Sequence, residues 1–129
     1  MRRYAYSIGY AMNGLGCALR TEHNLKLFVA SYAASIVLSA FLHLHASDWM
    51  FVLLSGGTFL SVEILNTAIE RFAGAFNTHT RSQQDDHDSV VGMTKDIAAG
   101  AALVSALTWV VILAIIFLPY FRFSAVGTV

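Results

Sequence analysis

The stretch whose reading decides the fold is Ser61-Val62-Glu63-Ile64-Leu65-Asn66-Thr67-Ala68-Ile69-Glu70. It closes a long apolar run that begins at Trp49, and its offsets of three and seven put Glu63, Asn66 and Glu70 on one face of a helix with 3.6 residues per turn. At about 1.5 Å per residue, Glu63 lies roughly 20 Å into a hydrocarbon layer about 30 Å thick, with Glu70 near its far edge. One acid is inside the membrane and the other is at its surface. An acid at the centre of a membrane helix costs on the order of 3 kcal/mol on insertion scales, so two carboxylates and an amide on one face read as a functional site.

Composition agrees with a membrane setting. The 129 residues are 57% hydrophobic and only 12% charged, which predicts a single all-α integral membrane domain over 1–129. The formal net charge is zero, so no nucleic-acid or polyanion-binding face is expected. Cys17 is the single cysteine, which excludes an internal disulfide, and it reads as a small packing residue. No cleavable signal pattern is apparent, and the spans themselves are expected to direct insertion.

Working outward from the stripe, the sequence predicts three transmembrane helices, at about 25–44, 49–72 and 97–120, preceded by an amphipathic surface helix at about 4–19. Gly14 and Gly16 mark a bend in that surface helix. Lys26 can snorkel at the start of the first span. His43 and His45 end it; two residues apart, they point about 200° apart around a helix and cannot chelate one metal. The link that follows is short, so the second span returns antiparallel to the first, with Ser47 or Asp48 as its N-cap. Gly57 and Ser61 fit the small-xxx-small spacing of close helix contacts, as does the run Ala98-Ala99-Gly100-Ala101-Ala102 on the third span. Between the second and third spans lies a polar loop, 77–89. Its Asp85, Asp86, His87 and Asp88 lack the glycine and terminal glutamate of a calcium-binding loop. The third span ends at Pro119 and a cluster of aromatic residues. Arg2, Arg3, Arg20 and Lys26 precede the first span, and Arg71, Arg81 and Lys95 lie between the second and third. By the positive-inside rule, the N-terminus and the polar loop are cytoplasmic.

On that cytoplasmic side Glu22, Glu63, Asn66, Glu70 and the pair Lys95-Asp96 converge. Mg²⁺ is usually held by one or two carboxylates together with substrate phosphates, which suits Glu22 and Glu70, while Lys95 would counter phosphate charge. Phosphoryl transfer asks little of a protein beyond in-line positioning, charge neutralisation and a base. Glu63, the deepest acid, is the natural base, and a nucleophile at that depth is a lipid hydroxyl. No Walker A pattern is present. The alternative, from another class, is a non-enzymatic bundle that conducts protons or cations along the Glu63, Asn66, Glu70 stripe. Lys95-Asp96 discriminates between the two, since a phosphate site needs a cation there and a cation path disfavours one.

These residues resemble a known family, the small prokaryotic integral-membrane lipid kinases that comprise diacylglycerol kinase and undecaprenol kinase. The likeness rests on Glu63-Ile64-Leu65-Asn66-Thr67-Ala68-Ile69-Glu70, on Lys95-Asp96 followed by Ala98-Ala99-Gly100-Ala101, and on Gly14-Leu15 preceding Arg20-Thr21-Glu22-His23-Asn24. It covers about 3–120. The resemblance implies a homotrimer of three-span subunits in the bacterial inner membrane, with active sites between subunits near the cytoplasmic face. It also implies ATP as cosubstrate and Mg²⁺ as cofactor. Glu63 then looks like the proton acceptor for the lipid hydroxyl and Asn66 like its orienting neighbour. Glu22 and Glu70 look like metal ligands, Lys95 and Asp96 like nucleotide contacts, and Arg3 and Tyr10 like substrate contacts. Two departures stand out. Family members commonly carry an aspartate four residues after the last glutamate, where this chain has Gly74, and the stretch from Glu70 to Lys95 is longer than usual. Gly74 is the one feature that suggests a catalytically dead assembly subunit.

Overall fold

The computed structural model describes residues 2–79 and 90–126, with side chains described over 6–75 and 90–121. Within these limits the chain is four α-helices without strands: α1 (Arg2–Thr21), α2 (His23–Phe41), α3 (Ala46–His79) and α4 (Val90–Val126). Three of them, over His23–Phe41, Ala46–Ala75 and Val90–Phe121, are long and apolar enough to cross a membrane. The 19 residues of α2 rise about 28 Å, close to the thickness of the hydrocarbon layer. Asp85, Asp86, His87, Asp88 and Arg81 lie outside the described residues, as does the side chain of Arg3.

The three expected spans are present and a helix precedes them, but the ends move, and α3 takes in 77–79 of the expected loop. Helix α3 begins at Ala46, before the Ser47 or Asp48 that sequence suggested as its N-cap, with Trp49 N–H already bonded to His45 C=O at 3.1 Å. Asp48 therefore sits in the first turn, where a carboxylate suits the helix dipole, and accepts the Tyr120 hydroxyl of α4 at 3.4 Å. Helix α4 starts at Val90, not Ile97, so Lys95 and Asp96 are on the helix. It also runs through Pro119, the expected terminus, to Val126. Proline removes one backbone hydrogen bond, yet ending the helix in lipid would strand several polar groups, so continuation is the cheaper solution. Helix α1 is continuous through Gly14 and Gly16. Hydroxyls inside the spans are satisfied by their own helices: fully buried Ser39 donates to Ser35 C=O at 2.7 Å, and Thr108 to Val104 C=O at 2.9 Å.

The turn from α2 to α3 is a Schellman motif. His43 N–H bonds Ala40 C=O and Leu44 N–H bonds Ser39 C=O, both at 3.2 Å, which satisfies carbonyls that the end of α2 leaves open. The motif needs a left-handed residue, and His43 occupies it at φ 51°. A side chain there costs roughly 1–2 kcal/mol. Because the His43 side chain is exposed, His43→Gly should raise stability by about 0.5–1 kcal/mol after the entropy of glycine is counted, read as a higher unfolding midpoint in micelles.

Helix α3 packs mainly on α4 and less extensively on α2. At one end Leu44, Val52, Ile116 and Phe117 form a buried layer. Next to it an aromatic column ties three helices together. The Phe59 ring stacks on Trp109 of α4 at 4.9 Å and meets Phe28 of α2 edge-on at 5.0 Å, while Tyr32 of α2 meets Trp109 at 6.4 Å. The close approach of α2 depends on Gly56, over which the Tyr32 ring lies. The small-residue contact thus uses Gly56, whereas Gly57 is half-buried and Ser61 exposed. On α4, Ala98 and Ala102 are buried one turn apart, as expected for a helix-facing stripe.

Candidate functional site

The acid stripe forms as its spacing predicts, because α3 is unbroken from Ala46 to His79. Glu63 and Asn66 are half-buried and Glu70 is exposed. Asn66 Nδ2 donates to Glu70 Oε1 at 3.0 Å. That bond fixes the orientation of the amide, since a carboxylate accepts only from the nitrogen side. Asn66 Oδ1 is left buried without a donor. A buried polar atom without a partner costs on the order of 1–3 kcal/mol and calls for an explanation in function.

Glu22 reaches the same end of the bundle from another element. It is the single residue between α1 and α2, extended at φ −98° and ψ 114°, and its carboxylate does not cap α2. It turns instead to Arg71, the residue after Glu70. Arg71 Nη2 and Nε both donate to Glu22 Oε1, at 2.9 and 3.3 Å. The same guanidinium donates to Thr21 Oγ1 and to Cys17 Sγ, the latter at 3.4 Å. Thr21 in turn donates to Cys17 C=O at 2.9 Å. Both side chains of the ion pair are partly exposed, 41% for Arg71 and 36% for Glu22, and pairs of this kind contribute no more than about 1 kcal/mol. Its consequence is positional: α1, α2 and α3 meet where Glu22 and the end of the stripe lie.

Sequence reading missed this junction. Arg71 counted there only as a topological charge, and Cys17 as a small packing residue, whereas Cys17 is exposed and accepts a hydrogen bond from Arg71. The one available signal was a cation placed directly after the last acid of the stripe.

The other candidates are less gathered. Lys95 is half-buried and Asp96 exposed on the second turn of α4, and among the described residues no ion pair joins Lys95 to Glu22, Glu63 or Glu70. Tyr10 is exposed on α1, 74% accessible. Gly74 is exposed on α3, and a Cβ added there would meet nothing within 4 Å, so the backbone would accommodate the aspartate common at that position.

Among the described residues no three His, Cys, Asp or Glu side chains come together as a protein cage. What exists is a set of two hard-oxygen donors, Glu22 and Glu70, each engaged through Oε1 alone. Such a set fits Mg²⁺ shared with phosphates and water and does not fit a metal held by protein alone. A cavity of about 320 Å³ between α3 and α4, lined in part by Leu54, Ser55, Thr58 and Thr108, touches none of these acids. Ser55 and Thr108 already donate to their own helices, so that groove has little with which to hold phosphate.

The sequence pattern of the prokaryotic diacylglycerol kinase family matches residues 9–117. Undecaprenol kinase of Bacillus subtilis is 32% identical over 119 residues, which cover 92% of this chain and 91% of that protein. A diacylglycerol kinase of Synechocystis sp. is 27% identical over 113 residues, covering 88% of this chain and 61% of that longer protein.

Proposed function

Because the chain belongs to the prokaryotic diacylglycerol kinase family and is a multi-pass membrane lipid kinase, we propose that it transfers the γ-phosphoryl group of ATP to the hydroxyl of a membrane-embedded lipid. Undecaprenol and diacylglycerol are the candidate acceptors. Undecaprenol comes first, since the similarity to the undecaprenol kinase runs nearly end to end in both chains.

The reading is carried by the orphaned Asn66 Oδ1 on the face of Glu63. The lipid oxygen attacks phosphorus, the bond to the β-phosphate bridging oxygen breaks, and ADP departs. The proton of the hydroxyl passes to Glu63. Neutral Glu63 then needs an acceptor, and Asn66, one turn further along the same face, offers Oδ1. The Asn66–Glu70 bond holds that amide in the required orientation. Glu22 and Glu70 would hold Mg²⁺, which when bound offsets the charge on the phosphates. Lys95 and Asp96 contact the nucleotide, and Arg3 and Tyr10 contact substrate. Among the described residues no ion pair joins Lys95 to Glu22, Glu63 or Glu70, and a homotrimer with sites between subunits would complete the constellation. The cytoplasmic face of the bacterial inner membrane, where ATP is available and the cations of the chain cluster, is the side proposed for the site. Membership in a kinase family does not favour the proton- or cation-conducting alternative.

Purified protein in mixed micelles with labelled ATP, Mg²⁺ and each lipid in turn is expected to transfer label to one of the two alcohols. Label on neither would overturn the reading. In the same assay Glu70→Gln should raise the Mg²⁺ concentration needed for half-maximal rate by roughly tenfold or more while leaving the apparent lipid affinity within about twofold. An unchanged Mg²⁺ titration would remove Glu70 from the metal site.

A further inference from the structure

We propose that Arg71 is a positioning residue that presents Glu22 to the cation, holding the carboxylate by one oxygen and leaving the other available. The inference rests on the reading of Glu22 as a metal ligand.

Glu22 sits in a one-residue break between two helices, and its carboxylate would otherwise be free to sample several rotamers. Arg71 restricts it. Both contacts from the guanidinium converge on Oε1, so Oε2 keeps its lone pairs. The guanidinium is in turn held by Thr21 and Cys17, both on the last turns of α1, which leaves it little freedom. This is the arrangement of an outer partner that orients a ligating carboxylate, and loss of such partners typically weakens metal affinity by about 10–100-fold. The opposing effect is repulsion between the guanidinium and the arriving cation. At a water-exposed site that repulsion is screened, so orientation wins and removal of Arg71 weakens binding. The contact also ties Glu22 to α3, the helix that carries Glu70.

The test uses the full chain in detergent micelles with Mn²⁺ and a non-hydrolysable ATP analogue that supplies the phosphate ligands, and protein-bound Mn²⁺ is followed by electron paramagnetic resonance. Arg71→Met should weaken Mn²⁺ binding by about tenfold, and Arg71→Lys, which keeps the charge without the fork, should fall between the two. In Arg71→Met the Mg²⁺ needed for half-maximal phosphorylation should rise with the apparent lipid affinity unchanged, a split that general loosening of the bundle would not produce. Mn²⁺ binding that is equal or tighter in Arg71→Met, with Glu22→Gln abolishing it, overturns the positioning role alone. Binding that is unaffected by Glu22→Gln overturns the metal role of Glu22 and the positioning role with it. If Arg71→Met does not fold, the same comparison between wild type and Arg71→Lys decides.

Discussion

Glu63→Gln should leave a folded protein whose lipid phosphorylation rate is lower by about 10²–10⁴-fold, the range that a positioned general base contributes. The substitution is nearly isosteric and removes a charge from a half-buried position on α3, so the helix should lose no stability. Glutamine cannot take the proton of the attacking hydroxyl. The apparent affinities for lipid and nucleotide should stay within a few-fold, because the loss falls on the transition state. Asn66, with its amide held by Glu70, would remain in place. Rates in mixed micelles with saturating ATP, Mg²⁺ and lipid check this. A rate within threefold of wild type would show that the proton goes elsewhere.

The second large effect is on stability, at a residue with no chemistry. Gly56→Ala should destabilise the bundle by about 1–3 kcal/mol, the usual cost of overpacking. A Cβ at position 56 would collide with the Tyr32 ring and stand 3.2 Å from Trp109 Nε1. Tyr32 has little room to yield, since its hydroxyl donates to Leu53 C=O at 3.1 Å and its ring meets Trp109. Gly57→Ala is the internal control. There the nearest contact is the Tyr32 hydroxyl at 3.9 Å, ordinary van der Waals distance, and alanine should be neutral or slightly stabilising through helix propensity. Tryptophan fluorescence during unfolding in micelles reads both variants. Equal midpoints for the two would mean that α2 does not seat on Gly56.

Much of the fold was legible because lipid imposes a simple code. An apolar run of about 20 residues spans, and its hydroxyls bond their own helix, so the presence and order of α2, α3 and α4 follow from hydropathy. The ends did not follow, because they depend on which backbone groups find partners. Trp49 N–H reaches back to His45, and α4 continues past Pro119. The choice between Gly56 and Gly57 was equally hidden, since both fit a small-residue face and only the place where Tyr32 descends separates them.

The site divides in the same way. By itself the sequence determined the Glu63, Asn66, Glu70 stripe, because helical periodicity alone aligns residues three and seven apart. Which oxygen of Asn66 is spent and which is left over, and that Glu22 is held at the end of the stripe by Arg71, were decided only by the tertiary structure. The reason is distance along the chain: Glu22 and Arg71 are 49 residues apart, and no local pattern relates them until α1, α2 and α3 meet at one point.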